Sequence, residues 1–124
     1  MAKINVKTIL HNITENEYFN NDSIGIKDKN KLKYIDDKVV VVVEIMNDKV
    51  SLKRNTEDYE IFMVFDLNTE TLGKYIIRNL GEFKLNIITN KLLIENDLIE
   101  IEYQMILDGK EKQEFSYKIE YKEM

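Results

Sequence analysis

Apolar and polar side chains alternate along most of this chain, so that every second residue of a segment shares a face. The alternation is strictest in the segments 98–107 and 115–121, and it is weaker in the segments 4–10 and 83–87. Their apolar faces hold Ile99, Ile101, Tyr103, Met105 and Leu107; Phe115, Tyr117, Ile119 and Tyr121; Ile4, Val6, Thr8 and Leu10; and Phe83, Leu85 and Ile87. A period of two predicts antiparallel strands with one buried face and one wet face.

Residues that face each other across a β-hairpin point to the same side of the sheet, so the alternation limits how a hairpin can pair. A two-residue loop at 108–109 would set Tyr103 opposite Glu114, a buried side chain against a wet one. A three-residue loop at 107–109 instead pairs Ile101 with Phe115 and places the final glycine in the left-handed region. We therefore predict the three-residue loop.

The same construction fits the glycine at the end of segment 79–81. A three-residue loop there pairs Ile77 with Phe83 and sets Arg78 opposite Glu82, where the two charges would form a cross-strand ion pair. Such successive hairpins indicate an up-and-down antiparallel topology.

Two segments depart from the period of two. Residues 13–18 carry a capping-box pattern from Thr14 to Glu17, which predicts at most a short helical turn near the N-terminus. Residues 69–81 place apolar side chains at helical spacing as well, but Gly73 within the segment disfavours a helix, and we predict a strand. Turn signals recur along the whole chain without any long amphipathic helix. The predicted fold is therefore all-β, an antiparallel barrel of about eight to ten strands, which leaves no open edge.

Composition narrows the classes of function. The chain has 124 residues, which suits one domain over residues 1–124, and it is 44% hydrophobic and 33% charged. Its net charge of -5 disfavours nucleic acid as a partner, and it contains no cysteine and one histidine, which excludes disulfides and thiolate-bound metals. No signal peptide or membrane-spanning run is visible, so we expect a cytoplasmic protein without a membrane partner.

A series of short motifs is spread over residues 25–121. They are Leu32-Lys33-Tyr34-Ile35 followed by Asp36-Asp37, then Lys49-Val50-Ser51-Leu52-Lys53-Arg54, Met63-Val64-Phe65, Tyr75 ahead of Leu80-Gly81-Glu82, Ile88-Thr89, and Ile101-Glu102-Tyr103 before Asp108-Gly109. Their order resembles the YwiB-like proteins, a bacterial family of small calycin-type β-barrels of unknown function. Asn55 and Ile77 depart from the glycine and threonine usual in that family. The resemblance implies a calycin-like or lipocalin-like barrel, a superfamily in which many members bind apolar ligands inside, and it implies no catalytic residues.

Arg54 is the charged residue with the most informative position. A turn at 47–48 pairs Ile45 with Val50, and the same register places Arg54 opposite Val41 on an apolar face. A guanidinium there needs a carboxylate, a carbonyl or an aromatic ring as a partner. Arg54 is then either an arginine that closes the barrel against a tyrosine or an anchor for a carboxylate at the barrel mouth.

The predicted ligand-binding residues lie on the inward faces, and we expect them to converge on the barrel interior with Arg54 toward one end. They are Arg54, Tyr59, Met63, Phe65, Tyr103, Phe115 and Tyr117. Seven Tyr and five Phe favour a filled core, whereas inward hydroxyls need partners that a ligand or trapped water could supply. The sequence leaves a solid barrel and a hollow barrel open.

Apolar residues also occur on the outward faces of two strands. Phe62 and Val64 alternate with the inward residues of their strand, and Val40 and Val42 repeat the pattern. Either another part of the chain covers this surface or it forms a subunit interface, which suggests a homodimer.

The remaining candidates for chemistry are weak. His11 has no second histidine or cysteine to share a metal, and Asp36-Asp37, Glu57-Asp58 and Glu100 with Glu102 resemble solvated acids more than a catalytic pair. We therefore predict a non-enzymatic protein without metal or cofactor that binds a small apolar or carboxylate-bearing ligand inside the barrel. The alternative is a protein-interaction module with a solid core and apolar outer faces. A carboxylate-based hydrolase is the third and weakest hypothesis.

Overall fold

The computed structural model describes residues 1–124 as ten β-strands without a helix. The strands are β1 (Ala2–Asn12), β2 (Glu17–Asp28), β3 (Lys31–Asp36), β4 (Val39–Met46), β5 (Lys49–Asn55), β6 (Tyr59–Asp66), β7 (Thr71–Ile77), β8 (Gly81–Ile94), β9 (Leu98–Leu107) and β10 (Lys112–Glu123). The all-β prediction is confirmed.

Each strand pairs antiparallel with the next strand of the chain, and β1 pairs with β10 to close a barrel. The predicted up-and-down antiparallel barrel is therefore confirmed. Because consecutive strands run in opposite directions, the turns after β1, β3, β5, β7 and β9 lie at one end, which we call the mouth. The chain termini and the other four turns lie at the opposite end.

The inward faces form a hydrophobic core of 20 buried residues. Every strand except β2 and β7 contributes to it. Met63 and Phe65 are buried on β6 as the alternation predicts, and Ile99 and Ile101 are buried on β9. The period of two therefore identifies the core faces correctly.

Two seams in the barrel wall have short ladders. Strands β2 and β3 pair over three residue pairs, and β6 and β7 pair over four, whereas the β1–β2 ladder has eleven. The seams divide the wall into a six-strand sheet, β7-β8-β9-β10-β1-β2, and a four-strand sheet, β3-β4-β5-β6. Gly25 and Gly73 each lie just beyond the last pair of a seam, where a backbone carbonyl passes too close for a Cβ atom.

The predicted hairpin at 47–48 is confirmed, because Ile45 is paired with Val50. The hairpin between β9 and β10 has a different register from the one predicted: Phe115 faces Tyr103 rather than Ile101. The amide of Lys110 donates to the carbonyl of Leu107, which closes a two-residue turn. The extra residue that follows this turn restores the match between inward faces, so the paired faces agree with the prediction although the register is shifted by two residues.

The hairpin between β7 and β8 shows the same shift. Gly81 has the predicted positive φ, 137°, but Phe83 faces Tyr75 rather than Ile77. The loop begins one residue earlier, at 78, and the amide of Leu80 donates to the carbonyl of Ile77. The predicted ion pair between Arg78 and Glu82 is wrong, because Glu82 faces Ile76 in this register and its carboxylate lies near Lys74.

The segment 13–16 forms a turn and not a helix. The Thr14 hydroxyl accepts a hydrogen bond from the amide of Glu114 at 2.8 Å, so it bonds across to β10 instead of capping a helix. The predicted strand near Gly73 is confirmed as β7. The long strand β2, in an asparagine-rich segment without apolar alternation, was not predicted from the sequence.

Candidate ligand site at the barrel mouth

Arg54 lies on an inward-facing row of side chains that crosses the four-strand sheet near the mouth. Tyr34 faces Val41, Val41 faces Arg54, and Arg54 faces Ile61 on the neighbouring strand. The predicted position of Arg54 opposite Val41 is therefore confirmed. Alternation places Asp36 on the inward face of β3 as well, two residues beyond Tyr34.

Arg54 forms an ion pair with Asp36, so the expected contact with an acid is confirmed. Its two terminal nitrogens lie 3.4 and 3.5 Å from one oxygen, Oδ2, of Asp36. The two side chains are 19% and 21% exposed, which places the pair at the boundary between the core and solvent. Burial alone would lower the pKa of Arg54, but the oxygens of Tyr117, Asp36 and Tyr34 outweigh it, and the pKa is raised. The guanidinium therefore remains charged.

A buried pair of tyrosines lies deeper than the ion pair. The hydroxyls of Tyr34 and Tyr117 are 2.7 Å apart and join the four-strand sheet to the six-strand sheet through the core. Burial raises the pKa of both phenols, because the charged phenolate would lose its hydration in the core. The buried hydroxyl of Thr8 partly opposes the rise in the pKa of Tyr117.

Tyr103 completes this polar cluster from the six-strand sheet. Its ring is stacked on Phe115, with centroids 5.2 Å apart, and tilted against Phe65 at 4.7 Å. Burial and, to a smaller extent, Tyr117 raise the pKa of Tyr103, and Arg54 opposes this shift. The Tyr103 hydroxyl therefore interacts electrostatically with both groups.

Half-buried apolar side chains surround the cluster at the mouth. On the six-strand sheet they are Leu10, Tyr75, Met105 and Leu107, and on the four-strand sheet Ile61. A depression of about 330 Å³ lies beside Met105 and Leu107 and is also lined by Lys110, Glu111 and Gln113. The mouth therefore combines an apolar wall on one side with the ion pair on the other.

The predicted site residues divide into two groups by depth. Met63, Phe65, Tyr103, Phe115 and Tyr117 are buried in the interior. Tyr59 is half-buried and packs edge-on against Tyr75 near the mouth, with ring centroids 5.8 Å apart, and Arg54 lies at the same end. The expected convergence on the interior is present, while their role in binding stays a prediction.

Sequence reasoning missed Tyr34, Asp36 and Thr8. The register that placed Arg54 opposite Val41 could have been carried one strand further, through the turn at 37–38, to place Tyr34 in the same row. Asp36 was interpreted with Asp37 as a solvated acidic pair. Only Asp37 fits that interpretation, because it lies exposed in the turn while Asp36 faces Arg54.

The other candidates for chemistry lie apart from the mouth cluster or are exposed. Glu100 is paired with Lys91 at 2.8 Å on the outer surface, and no group of three or more His, Cys, Asp or Glu side chains is placed to hold a metal ion. His11 is stacked on Tyr18 at 4.0 Å. A surface depression of about 560 Å³ lies over the outer faces of β1 and β10 and is lined mainly by charged and polar residues. No helix long and apolar enough to cross a membrane is present.

The fold and this cluster define a class: a closed antiparallel β-barrel whose apolar interior ends in a polar mouth. Over residues 4–119 the chain matches the family described as a domain of unknown function, DUF1934, and it belongs to that family. Its fold is similar to the crystal structure of the ywiB protein from Bacillus subtilis, with a TM-score of 0.59 and 16% identity over 95% of this chain and 89% of that one. The resemblance to the YwiB-like family is thus confirmed. No curated protein matches the chain.

Proposed function

We propose that this protein is a non-enzymatic, calycin-like binding protein that holds one small amphiphilic carboxylate at the barrel mouth. The observation that carries the proposal is the Arg54–Asp36 pair. Its nitrogen–oxygen distances of 3.4 and 3.5 Å are longer than the roughly 2.7–2.9 Å of a well-formed charge-assisted bond. A ligand carboxylate could engage the guanidinium in the bidentate geometry that Asp36 does not use.

The apolar wall supports the second half of the ligand. Met105 and Leu107 are half-buried beside a depression of about 330 Å³, a size at the lower end of small-ligand sites. An alkyl chain placed there would cover apolar surface that now contacts solvent. The ligand class is therefore a short chain with a terminal carboxylate.

A binding role is also favoured over acid/base catalysis by how the acids are arranged. Asp36 faces a guanidinium, and Glu100 is paired with Lys91 on the surface, so each of these acids is engaged by a cation. The lack of cysteine fits a reducing compartment, and we include a cytoplasmic location in the proposal.

Calorimetric titration with octanoate and with octan-1-ol tests the proposal, because the two probes share a chain and differ in charge. We expect octanoate to bind, and we expect Arg54→Gln to weaken it at least about tenfold while changing the affinity for octan-1-ol little. Lys53→Gln is the matched control, because Lys53 is the neighbour of Arg54 on β5 and is exposed on the outer face. Equal octanoate affinity in the Arg54 variant, or none in the wild type, would refute the proposal.

The second candidate is an interaction module with a solid barrel. Val40, Val42 and Val64 are half-buried on the outer face of β4 and β6, and Phe62 beside them is exposed, so this surface suits a homodimer. Sedimentation of the same sample separates the two candidates. A dimer that Phe62→Lys converts to a monomer, in a chain that does not bind octanoate, would favour the module.

A further inference from the structure

Strand β2 has a free edge over most of its length. It pairs with β1 from Glu17 to Lys27, but with β3 only from Ile26 to Asp28. The residues 17–25, which we call the open edge, therefore have a strand neighbour on one side only. In an antiparallel strand alternate residues direct their amide and carbonyl to the same side, so about four of these nine residues present both groups outward.

The side chains of the open edge are exposed on both faces of the sheet. Tyr18, Phe19 and Ile24 are 62%, 54% and 60% exposed, although Phe19 lies on the opposite face from the other two. Solvent-exposed edges in natural proteins are usually short or protected by charge, because they can pair with another chain. Large apolar side chains on both faces of such an edge are typical of a surface that accepts a further strand.

The charge of the open edge indicates which kind of strand would pair with it. The open edge itself contains no lysine or arginine, whereas Glu17 and Asp22 lie on it, and the nearest basic residue is Lys7, which faces Asp22 from β1. The opposite border of the seam adds no net negative charge, since Asp36 of β3 is ion-paired with Arg54 and Asp37 is followed by Lys38. A second copy of this chain would bring an equally acidic edge within a few ångströms, where salt screens the repulsion only in part.

We propose that the open edge of β2 binds an extended, basic segment of another protein by β-strand addition. Backbone hydrogen bonds to β2 supply affinity for any extended chain, and basic residues set opposite Glu17 and Asp22 supply selectivity. The side-chain amide of Asn21 donates to the carbonyl of Ile35 at 3.1 Å and is the direct bond that joins this edge to β3. A partner strand meets the free stretch from Glu17 to Asn20 first and replaces the Asn21 bond as it extends.

The test uses an acetylated octapeptide, Val-Thr-Lys-Thr-Thr-Val-Val-Lys, which matches β2 in antiparallel register. Its lysines then face Glu17 and Asp22, and its valines face Tyr18, Phe19 and Ile24. Binding to the full chain is measured by fluorescence anisotropy of the labelled peptide. We expect saturable binding, which is lost when alternate peptide nitrogens are methylated and when both lysines are replaced by glutamate.

The double variant Glu17→Lys with Asp22→Lys should weaken binding at least about tenfold. The matched control reverses Glu57 and Asp58, two exposed acids of the turn after β5, and should leave the affinity within about twofold. Circular dichroism checks that both variants remain folded. Equal weakening by both double variants, or full binding of the methylated peptide, would show nonspecific attraction and overturn the proposal. So would a wild-type dimer that Tyr18→Lys converts to a monomer, because a second copy would then occupy the edge.

Discussion

The two seams of this barrel begin with the same construction and end differently. In each, a short ladder stops at a glycine whose hydrogen faces a backbone carbonyl: Gly25 faces the carbonyl of Lys33, and Gly73 faces that of Phe62. Beyond Gly73 the seam is sealed, because the Thr71 hydroxyl donates to the carbonyl of Val64. Beyond Gly25 the strand β2 continues with a single side-chain bond to β3.

The seam between β6 and β7 is closed because the end of β6 reaches β8. The amide of Asp66 donates to the Thr89 hydroxyl on β8 at 3.2 Å, so β6 passes over β7 and contacts the next strand. Asp66 is itself buried, and its carboxylate lies 3.6 Å from the ammonium of Lys49. The open seam is instead held from inside the barrel, where Tyr34 bonds to Tyr117. Gly25 and Gly73 therefore allow the two neighbouring strands to diverge, while polar side chains determine whether the gap beyond them is bridged.

The largest expected losses of stability come from replacing Gly25 and Gly73, the glycines at the ends of the two short ladders. Gly73→Ala should cost about 3 kcal/mol of unfolding free energy, because the new Cβ meets the carbonyl of Phe62 and the side chain of Ile87 in a sealed wall. Gly25→Ala, whose Cβ would lie 2.5 Å from the carbonyl oxygen of Lys33, should cost about 2 kcal/mol, because β2 is free to move away from β3. Urea unfolding measures both.

Gly109→Ala provides the control for the Gly25 and Gly73 variants. Gly109 has a φ of 73° with open space around its Cβ position, so an alanine there tests backbone conformation alone. We expect about 1 kcal/mol. Equal losses of unfolding free energy in the three variants would mean that crowding of the Cβ atom at Gly25 and Gly73 contributes nothing to the loss.

Loss of a polar side-chain bond should also affect the two seams differently. Thr89→Val keeps the shape of the side chain but removes the acceptor of the buried Asp66 amide, and we expect a loss of about 2 kcal/mol in urea unfolding. Asn21→Ala removes the one bond that spans the open seam at its surface, and the loss should stay within about 0.5 kcal/mol. A larger loss from the asparagine would contradict the contrast between the seams.

The internal anchor of the open seam should give a moderate effect at neutral pH and a distinct dependence on alkaline pH. Tyr34→Phe removes one hydroxyl of a buried pair and should cost about 1 kcal/mol. The pKa of Tyr34 is raised above the ordinary 10.0, so the native state keeps its proton when the unfolded state has lost it. The stabilisation is therefore complete below about pH 10 and declines as the pH rises further.

Unfolding followed from neutral to alkaline pH checks this sign. We expect the decline above about pH 10 to be shallower in Tyr34→Phe than in the wild type. Tyr18→Phe, which removes the hydroxyl of an exposed tyrosine, should keep the wild-type slope. If the slope is the same in all three proteins, the buried pair does not anchor the seam.

Much of the fold follows from the period of two, and the errors show the limit of that information. Alternation determines which face of a strand is buried, and it places Tyr103 and Phe115 inward correctly. It cannot distinguish registers that differ by two residues, since both keep the faces matched. The two hairpins with a glycine were shifted by that amount, whereas the 47–48 turn, which has no extra residue, was predicted correctly.

The missing parts of the site have a different origin. The row that contains Tyr34 and Arg54 depends on two successive registers, and an error in either would separate them. The open edge depends on where β3 turns away from β2, which follows from a carbonyl contact at Gly25 and leaves no periodic trace in the sequence. The Asn-rich segment around Asn20 has both faces exposed, so apolar alternation is absent from it.

The closure between β1 and β10 also has a consequence for how the chain folds during synthesis. Every other ladder joins strands that follow one another, and those hairpins can form as soon as their two strands are available. The partner of Ile4 is Glu123, so one edge of β1 stays unpaired until β10 has left the ribosome. Until β10 is available, the chain is an open ribbon of nine strands that cannot close into a barrel.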